Sequence, residues 1–269
     1  MTKLIEKTYL SIADFIFEVR FTESDFLHSY YETKKNFFDF YKNFIIKKTK
    51  KKVDWIVEFK KLDKIFFYQR KLKKRKEYFL KLFKSQNKKS IVYYGLSLTQ
   101  LELIIKQIIF DLLNNKNDFI IHSSSVLINN KAVIFTGPEG AGKSTISRFL
   151  SEKYSVLMDD ESIIRELDKK FLLYQAPFTD KGINIIRKKD RREIKAVFFI
   201  KKAKICRIKK IDNKTQILKL FLENITLGKK ALKKIISFVN THNFYVFYFP
   251  KDQKKVLKEF EKSLKMGKL

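Results

Sequence analysis

Gly137, Pro138, Glu139, Gly140, Ala141, Gly142, Lys143, Ser144 and Thr145 match the pattern G-x-x-x-x-G-K-[ST]. Such a loop has one job. It curls its backbone N–H groups round a phosphate chain, and glycine permits that curvature because it carries no Cβ. A helix that follows aims the positive end of its dipole at the anion. Lys143 then neutralises the β- and γ-phosphates, and the Ser144 hydroxyl takes a magnesium ion. The chain has only 7 glycines, and three of them sit here. The expected ligands are ATP and Mg2+, with residues 137–145 as the P-loop.

An acidic pair, Asp159-Asp160, ends the next apolar run, Tyr154 to Met158. About sixteen residues lie between Lys143 and Asp159, room for one helix and one strand. An Asp at such a strand end reaches the magnesium. Two adjacent carboxylates divide labour: one holds the metal, the other accepts a proton from an attacking hydroxyl. The sequence leaves open which does which; the working assignment gives the metal to Asp159, with Ser144, and catalysis to Asp160, with Lys143. The competing reading is an acidic turn after a strand.

A histidine joins them by register. Phe119 to Ile128 and Lys131 to Thr136 read as two strands joined by Asn129-Asn130, residues that tolerate the positive φ of a primed turn. Pairing Ile128 with Lys131 sets Val126 against Val133, Ser124 against Phe135 and His122 against Gly137. His122 is therefore expected beside the loop, as a further catalytic residue, unless it merely caps a strand end. Asn115-Lys116-Asn117-Asp118 has the look of a guanine-reading motif, but it precedes the P-loop and reads as a helix stop.

Other elements must hold these groups. Residues 1–95 are expected to form a mainly β segment, with strands at Tyr9 to Phe21, Val53 to Phe59, Ile65 to Tyr68, Tyr78 to Phe83 and Ile91 to Tyr94, and a partly helical stretch within Asp25 to Ile46. A helix follows, capped by Thr99 and Glu102, with Leu101, Ile104, Ile105, Ile108, Ile109 and Leu112 at helical spacing. The helix after the P-loop is expected to run to about Lys153. Ser162 to Leu167 and Phe171 to Gln175 form a hairpin about Asp168-Lys169, and Pro177 to Arg192 a long polar loop. Strands Ala196 to Ile200, Ile205 to Ile208 and Phe244 to Phe249 alternate with helices at Ile217 to Ile225, Ala231 to Val239 and Val256 to Leu264. Residues 96–269 are thus an α/β domain.

The net charge is +30, from 59 Lys and Arg against 29 Asp and Glu. Lysine dominates arginine and comes with abundant Ile, Phe and Asn, which reads as a coding bias spread over the chain. Base readers and phosphate clamps lean on the planar arginine fork instead, so a nucleic-acid partner is not the expectation. A single cysteine, Cys206, builds neither a disulfide framework nor a zinc cluster. The start, MTKLIEKTYL, has no apolar signal-peptide core, and no apolar run is clean enough to span a bilayer. A cytoplasmic protein without a membrane partner is expected.

His122 to Val126, the loop from Gly137 to Thr145, and Leu157 to Glu161 together resemble the kinase domain of the HPr kinase/phosphorylase family, in the superfamily that contains phosphoenolpyruvate carboxykinase. Ala176 to Phe178, Ala196 to Lys201 and Phe244 to Pro250 are similar to its later landmarks, over roughly residues 97–265. The resemblance, to a divergent member, implies a P-loop kinase domain of the HPr kinase type. It implies that Lys143 and Ser144 bind phosphate and magnesium, that Asp159 and Asp160 supply metal binding and the base, and that His122 lies beside the reacting phosphate. The expected activity is transfer of the ATP γ-phosphate to a hydroxyl of a protein, peptide or small molecule, such as a Ser of a protein or peptide. A non-kinase ATPase or nucleotide switch is the alternative, and a basic nucleic-acid-binding protein a more remote one. Lys181, Arg187, Arg191 and Arg192 are candidates for steadying transition-state charge or for a solvated basic face. The oligomeric state, a homo-oligomer included, stays open.

Overall fold

The computed structural model describes residues 3–24, 27–47, 49–61, 67–72, 75–80, 83–178, 188–225 and 231–265. The chain is mixed α/β and divides into two compact units, Met1–Leu112 and Leu113–Leu269.

The first unit opens with β1 (Leu4–Ile12) and β2 (Phe15–Thr22), followed by α1 (Leu27–Tyr41), β3 (Ile45–Ile46), β4 (Trp55–Lys60), β5 (Phe67–Leu72), β6 (Arg75–Leu80), β7 (Phe83–Gln86) and β8 (Lys89–Tyr93). Six strands form one sheet in the order β3-β1-β2-β4-β8-β7, while β5 and β6 pair separately. The single strand expected over Tyr9 to Phe21 is in fact a hairpin. Ala13 and Asp14 turn the chain at φ 50° and 61°, and no Gly or Asn marks the spot in the sequence. Of the expected strand at Ile65 to Tyr68, Ile65 and Phe66 lie outside the described residues, as do positions 81 and 82 of the next. Alternation along β2 and β4 sends Phe21 and Phe59 into a core with Phe37 of α1, the first two stacked at 4.9 Å. Glu18 and Glu58 on the opposite face are held by Arg20 at 2.6 Å and Lys89 at 2.8 Å.

Helix α2 (Leu98–Lys116) follows and crosses the division between the units. Its cap is Ser97 with Gln100, not Thr99 with Glu102. Gln100 N–H donates to Ser97 Oγ at 3.2 Å, and Ser97 N–H to Gln100 Oε1 at 2.9 Å. Both pairs fit the same pattern, and Gly95, at φ 93°, turns the chain just before the first. The stop expected at Asn115 to Asp118 is present, with Asn117 left-handed at φ 55°.

The second unit contains β9 (Phe119–Ile128), β10 (Lys131–Thr136), α3 (Lys143–Leu150), β11 (Val156–Met158), β12 (Glu161–Leu167), β13 (Lys170–Tyr174), β14 (Arg191–Lys202), β15 (Arg207–Ile211), α4 (Lys214–Leu222), α5 (Leu232–Thr241), β16 (Phe244–Phe249) and α6 (Gln253–Lys265). All eight strands belong to one sheet. Its pairings run round a circuit, β10-β9-β12-β13-β14 and back to β10, and continue outward through β16 to β15. Strands β10, β14 and β16 are parallel, so their carboxyl ends emerge together on one side.

Alternation makes two cores. Val126, Val133, Phe135, Phe198, Ile200, Phe247 and Phe249 pack with Ile146 and Leu150 of α3 and Phe260 of α6. The reverse face holds an aromatic cluster in which Phe119 meets Phe238 at 5.6 Å and Phe221 at 6.0 Å. Helix α3 stops at Leu150, short of Lys153. Ser151 to Lys153 are exposed, and the N–H groups of Lys153 and Tyr154 both donate to the Leu150 carbonyl. No helix among the described residues is long and apolar enough to cross a membrane.

Candidate functional site

The β9–β10 hairpin adopts the register that its turn dictates. Asn129 and Asn130 stand at φ 48° and 63°, and Ile128 pairs with Lys131, Val126 with Val133 and Ser124 with Phe135. Regular pairing ends at Ser123 and Thr136, one step before His122 and Gly137. There the Thr136 hydroxyl donates to the His122 carbonyl at 2.9 Å, and the His122 N–H donates to the Asn224 carbonyl at 2.8 Å. The histidine backbone is therefore held from both sides.

The glycine-rich loop rests on the sheet edge. A Cβ on Gly137 would stand 3.1 Å from the Ala141 Cβ and 3.3 Å from the Ile200 carbonyl. Gly142 caps α3 at φ 103°, and a Cβ there would fall 2.8 Å from Phe249 Cζ. The Lys143 side chain folds back over the loop and donates to the carbonyls of Gly137 at 2.8 Å and Pro138 at 3.0 Å. Burial lowers its pKa, while the nearby Asp160 and Glu139 carboxylates pull it back up. Ser124, on the α3 face of β9, donates to the Lys143 carbonyl at 3.0 Å and ties the first turn of α3 to the sheet.

The two aspartates differ in environment. Met158 stands across from Ser125, and Glu161 across from His122. That constant register sets Asp159 opposite Ser124 and Asp160 opposite Ser123, whose N–H donates to the Asp160 carbonyl at 2.9 Å. Asp159 thus takes the face covered by α3, where it is 4% exposed and accepts from Ser147 Oγ at 2.8 Å. Asp160 lies at a bend, its side chain about half exposed, with Oδ1 3.1 Å from His122 Nδ1. Adjacent in sequence, one carboxylate is fixed to a helix and the other is open to solvent beside an imidazole.

One cleft of about 330 Å³ gathers most of the expected residues. The loop and helix start contribute Glu139, Gly140, Gly142, Lys143, Ser144 and Thr145. His122, Asp159 and Asp160 line it too. Gly137, Pro138 and Ala141 are not part of the lining; Gly137 abuts Ile200, and Pro138 offers its carbonyl to Lys143. Two contributors were not anticipated. Lys202 lines the cleft from the end of β14. Ser147, one turn along α3 from Ser144, carries the signal of a polar residue on an otherwise apolar helix face. Lys181 and Arg187 lie outside the described residues. Arg191 and Arg192 are not in a loop: they open β14, because β13 pairs with it at Tyr174–Arg191 and Leu173–Arg192. Arg192 there bonds Asp190 at 2.7 Å.

No protein-family model matches the chain, and no curated protein matches it in sequence. Among solved structures it is similar to the Hpr(Ser) kinase/phosphatase from Coxiella burnetii, at a TM-score of 0.31 and 15% identity, over 55% of this chain and 98% of that one. A likeness that slight carries no argument about function, which rests on the cleft.

Proposed function

We propose that residues 96–269 form a P-loop kinase domain of the HPr kinase type, and that the protein transfers the γ-phosphate of ATP to a hydroxyl of a protein, peptide or small molecule. The observation that carries this reading is that Lys143 and the His122–Asp160 pair line the same cleft. A buried cation suited to phosphate and a proton acceptor open to solvent share one space.

The residues fit the ligands. Gly140 and Gly142, at φ 74° and 103°, hold a curl that other residues rarely adopt, and both line the cleft. Ser144 and Asp159 offer hard oxygen donors in the same cleft, the set magnesium prefers. Magnesium, when bound, neutralises charge on the phosphate oxygens. In this reading Lys143 exchanges its bonds to Gly137 and Pro138 for phosphate oxygens, and Ser147 keeps Asp159 aligned with α3. Asp160 takes the proton of the acceptor hydroxyl as its oxygen attacks phosphorus, and His122 orients that carboxylate.

Incubation with γ-labelled ATP, magnesium and a cell extract tests the reading. Label should appear on a protein or small-molecule acceptor and vanish with Asp160→Asn, while that variant still binds nucleotide. Release of label only as inorganic phosphate would identify an ATPase instead. Mg-ATP should also raise Tm, by a stabilisation of about 2.7 kcal/mol at a hundredfold excess over Kd, and Lys143→Ala should remove most of it. An unchanged melting curve at millimolar Mg-ATP would overturn the reading at its base.

A further inference from the structure

We propose that Lys202 is a second phosphate-binding cation of this cleft, acting beside Lys143 on the phosphate chain of the nucleotide. The inference rests on the nucleotide-binding reading above and adds a residue outside the loop motif.

Strand alternation supplies the first argument. Ala196, Phe198 and Ile200 of β14 all point into the core beneath α3 and α6. Lys202 is the next residue of that series, so it emerges on the α3 side of the sheet, and Lys201 on the other. The second argument is position. Parallel strands β10, β14 and β16 end together under the loop: Gly137 abuts Ile200, and Gly142 abuts both Phe249 and Lys202. Lys202 Cε lies 3.4 Å from where a Gly142 Cβ would be. The amino group is thereby carried past the N-terminus of α3, the end that attracts anions.

Charge is the third argument. Among the described residues, three carboxylates line the cleft, from Glu139, Asp159 and Asp160, and beside the His122 imidazole only Lys143 and Lys202 bring basic side chains. Lys131, Lys153, Lys170 and Lys234 each engage an acidic side chain. The Lys202 side chain makes no hydrogen bond or ion pair with any described residue. A polyanion entering among three carboxylates needs compensating charge, and a lysine at this rim supplies it as a mobile point charge.

Titration calorimetry with Mg-ATP at fixed ionic strength tests the assignment. Lys202→Met keeps the length of the side chain and removes its charge; it should raise Kd by about tenfold. Lys201→Met, at another exposed lysine one residue away on the opposite face, should change Kd by less than about twofold, which controls for net charge. Lys202→Arg should restore most of the affinity. Equal effects of Lys202→Met and Lys201→Met would overturn the inference. So would Lys202→Met binding like wild type while Lys143→Ala fails to bind, an outcome that leaves nucleotide binding itself intact. Wild-type protein with no affinity at millimolar Mg-ATP would instead overturn the functional reading and this inference with it.

Discussion

His122 Nδ1 and Asp160 Oδ1 stand 3.1 Å apart, joining β9 to the bend that leads into β12. The imidazole faces that carboxylate edge and orients it from one side. The expected consequence is kinetic. His122→Ala should lower kcat at least about tenfold while leaving the Kd for Mg-ATP unchanged. Turnover at the wild-type rate would show the pair to be a strand-end tether.

The two left-handed glycines of the loop should respond differently to a methyl group. Gly140→Ala meets no atom within 4 Å, and only its φ of 74° opposes the change, at about 1–2 kcal/mol. Gly142→Ala adds a contact of 2.8 Å with Phe249 Cζ, and overpacking brings the cost to about 3 kcal/mol. Denaturant unfolding measures both. Equal losses would mean that Phe249 yields freely.

Asp118, its side chain 2% exposed, accepts from Lys234 at 2.6 Å and from Arg165 at 2.8 Å. It fastens the start of β9 to α5 and β12. Asp118→Asn removes the anion that both cations share, and should cost about 3 kcal/mol of stability. Nucleotide preference should not change, since the Asn115 to Asp118 stretch ends a helix. An altered choice between ATP and GTP would contradict that role.

His242 gives the fold an acid limit. Its ring stacks on Phe238 at 4.3 Å, and burial lowers its pKa from the usual 6.5. The unfolded chain therefore takes up a proton as pH falls through 6.5, while the folded chain resists until its own lower pKa. Stability contributed by this residue is full above 6.5 and declines as pH drops from there toward the folded pKa, then levels off. Tm followed from pH 7.5 to 5.5 should fall more steeply in wild type than in His242→Asn. Parallel curves would show that the ring is solvated.

Much of the site was legible because its determinants are local. The motif from Gly137 to Thr145, the Asn129-Asn130 turn and the apolar alternation of β9 and β10 act over a few residues, and together they carry His122 to the loop. Turns without an Asn or Gly signal were not legible: Ala13-Asp14 splits what composition alone reads as one strand. The two capping boxes before α2 were equivalent as patterns, and only the reciprocal bonds between Ser97 and Gln100 separate them.

Sequence by itself determined the glycine-rich G-x-x-x-x-G-K-S motif, its flanking strand and helix, and an acidic pair close behind, since spacing along the chain is enough to specify them. Tertiary structure decided which aspartate is buried, because that depends on the register of β11 and β12 against β9 and on Ser147 reaching across from α3. It also decided that Arg191 and Arg192 belong to a strand, since their backbone groups find partners only once β13 lies alongside. Lys202 is the clearest case. Nothing near it in sequence marks it, and it reaches the cleft because three parallel strands end on one edge of the sheet, beneath a loop separated from its own strand by α3, β11, β12 and β13.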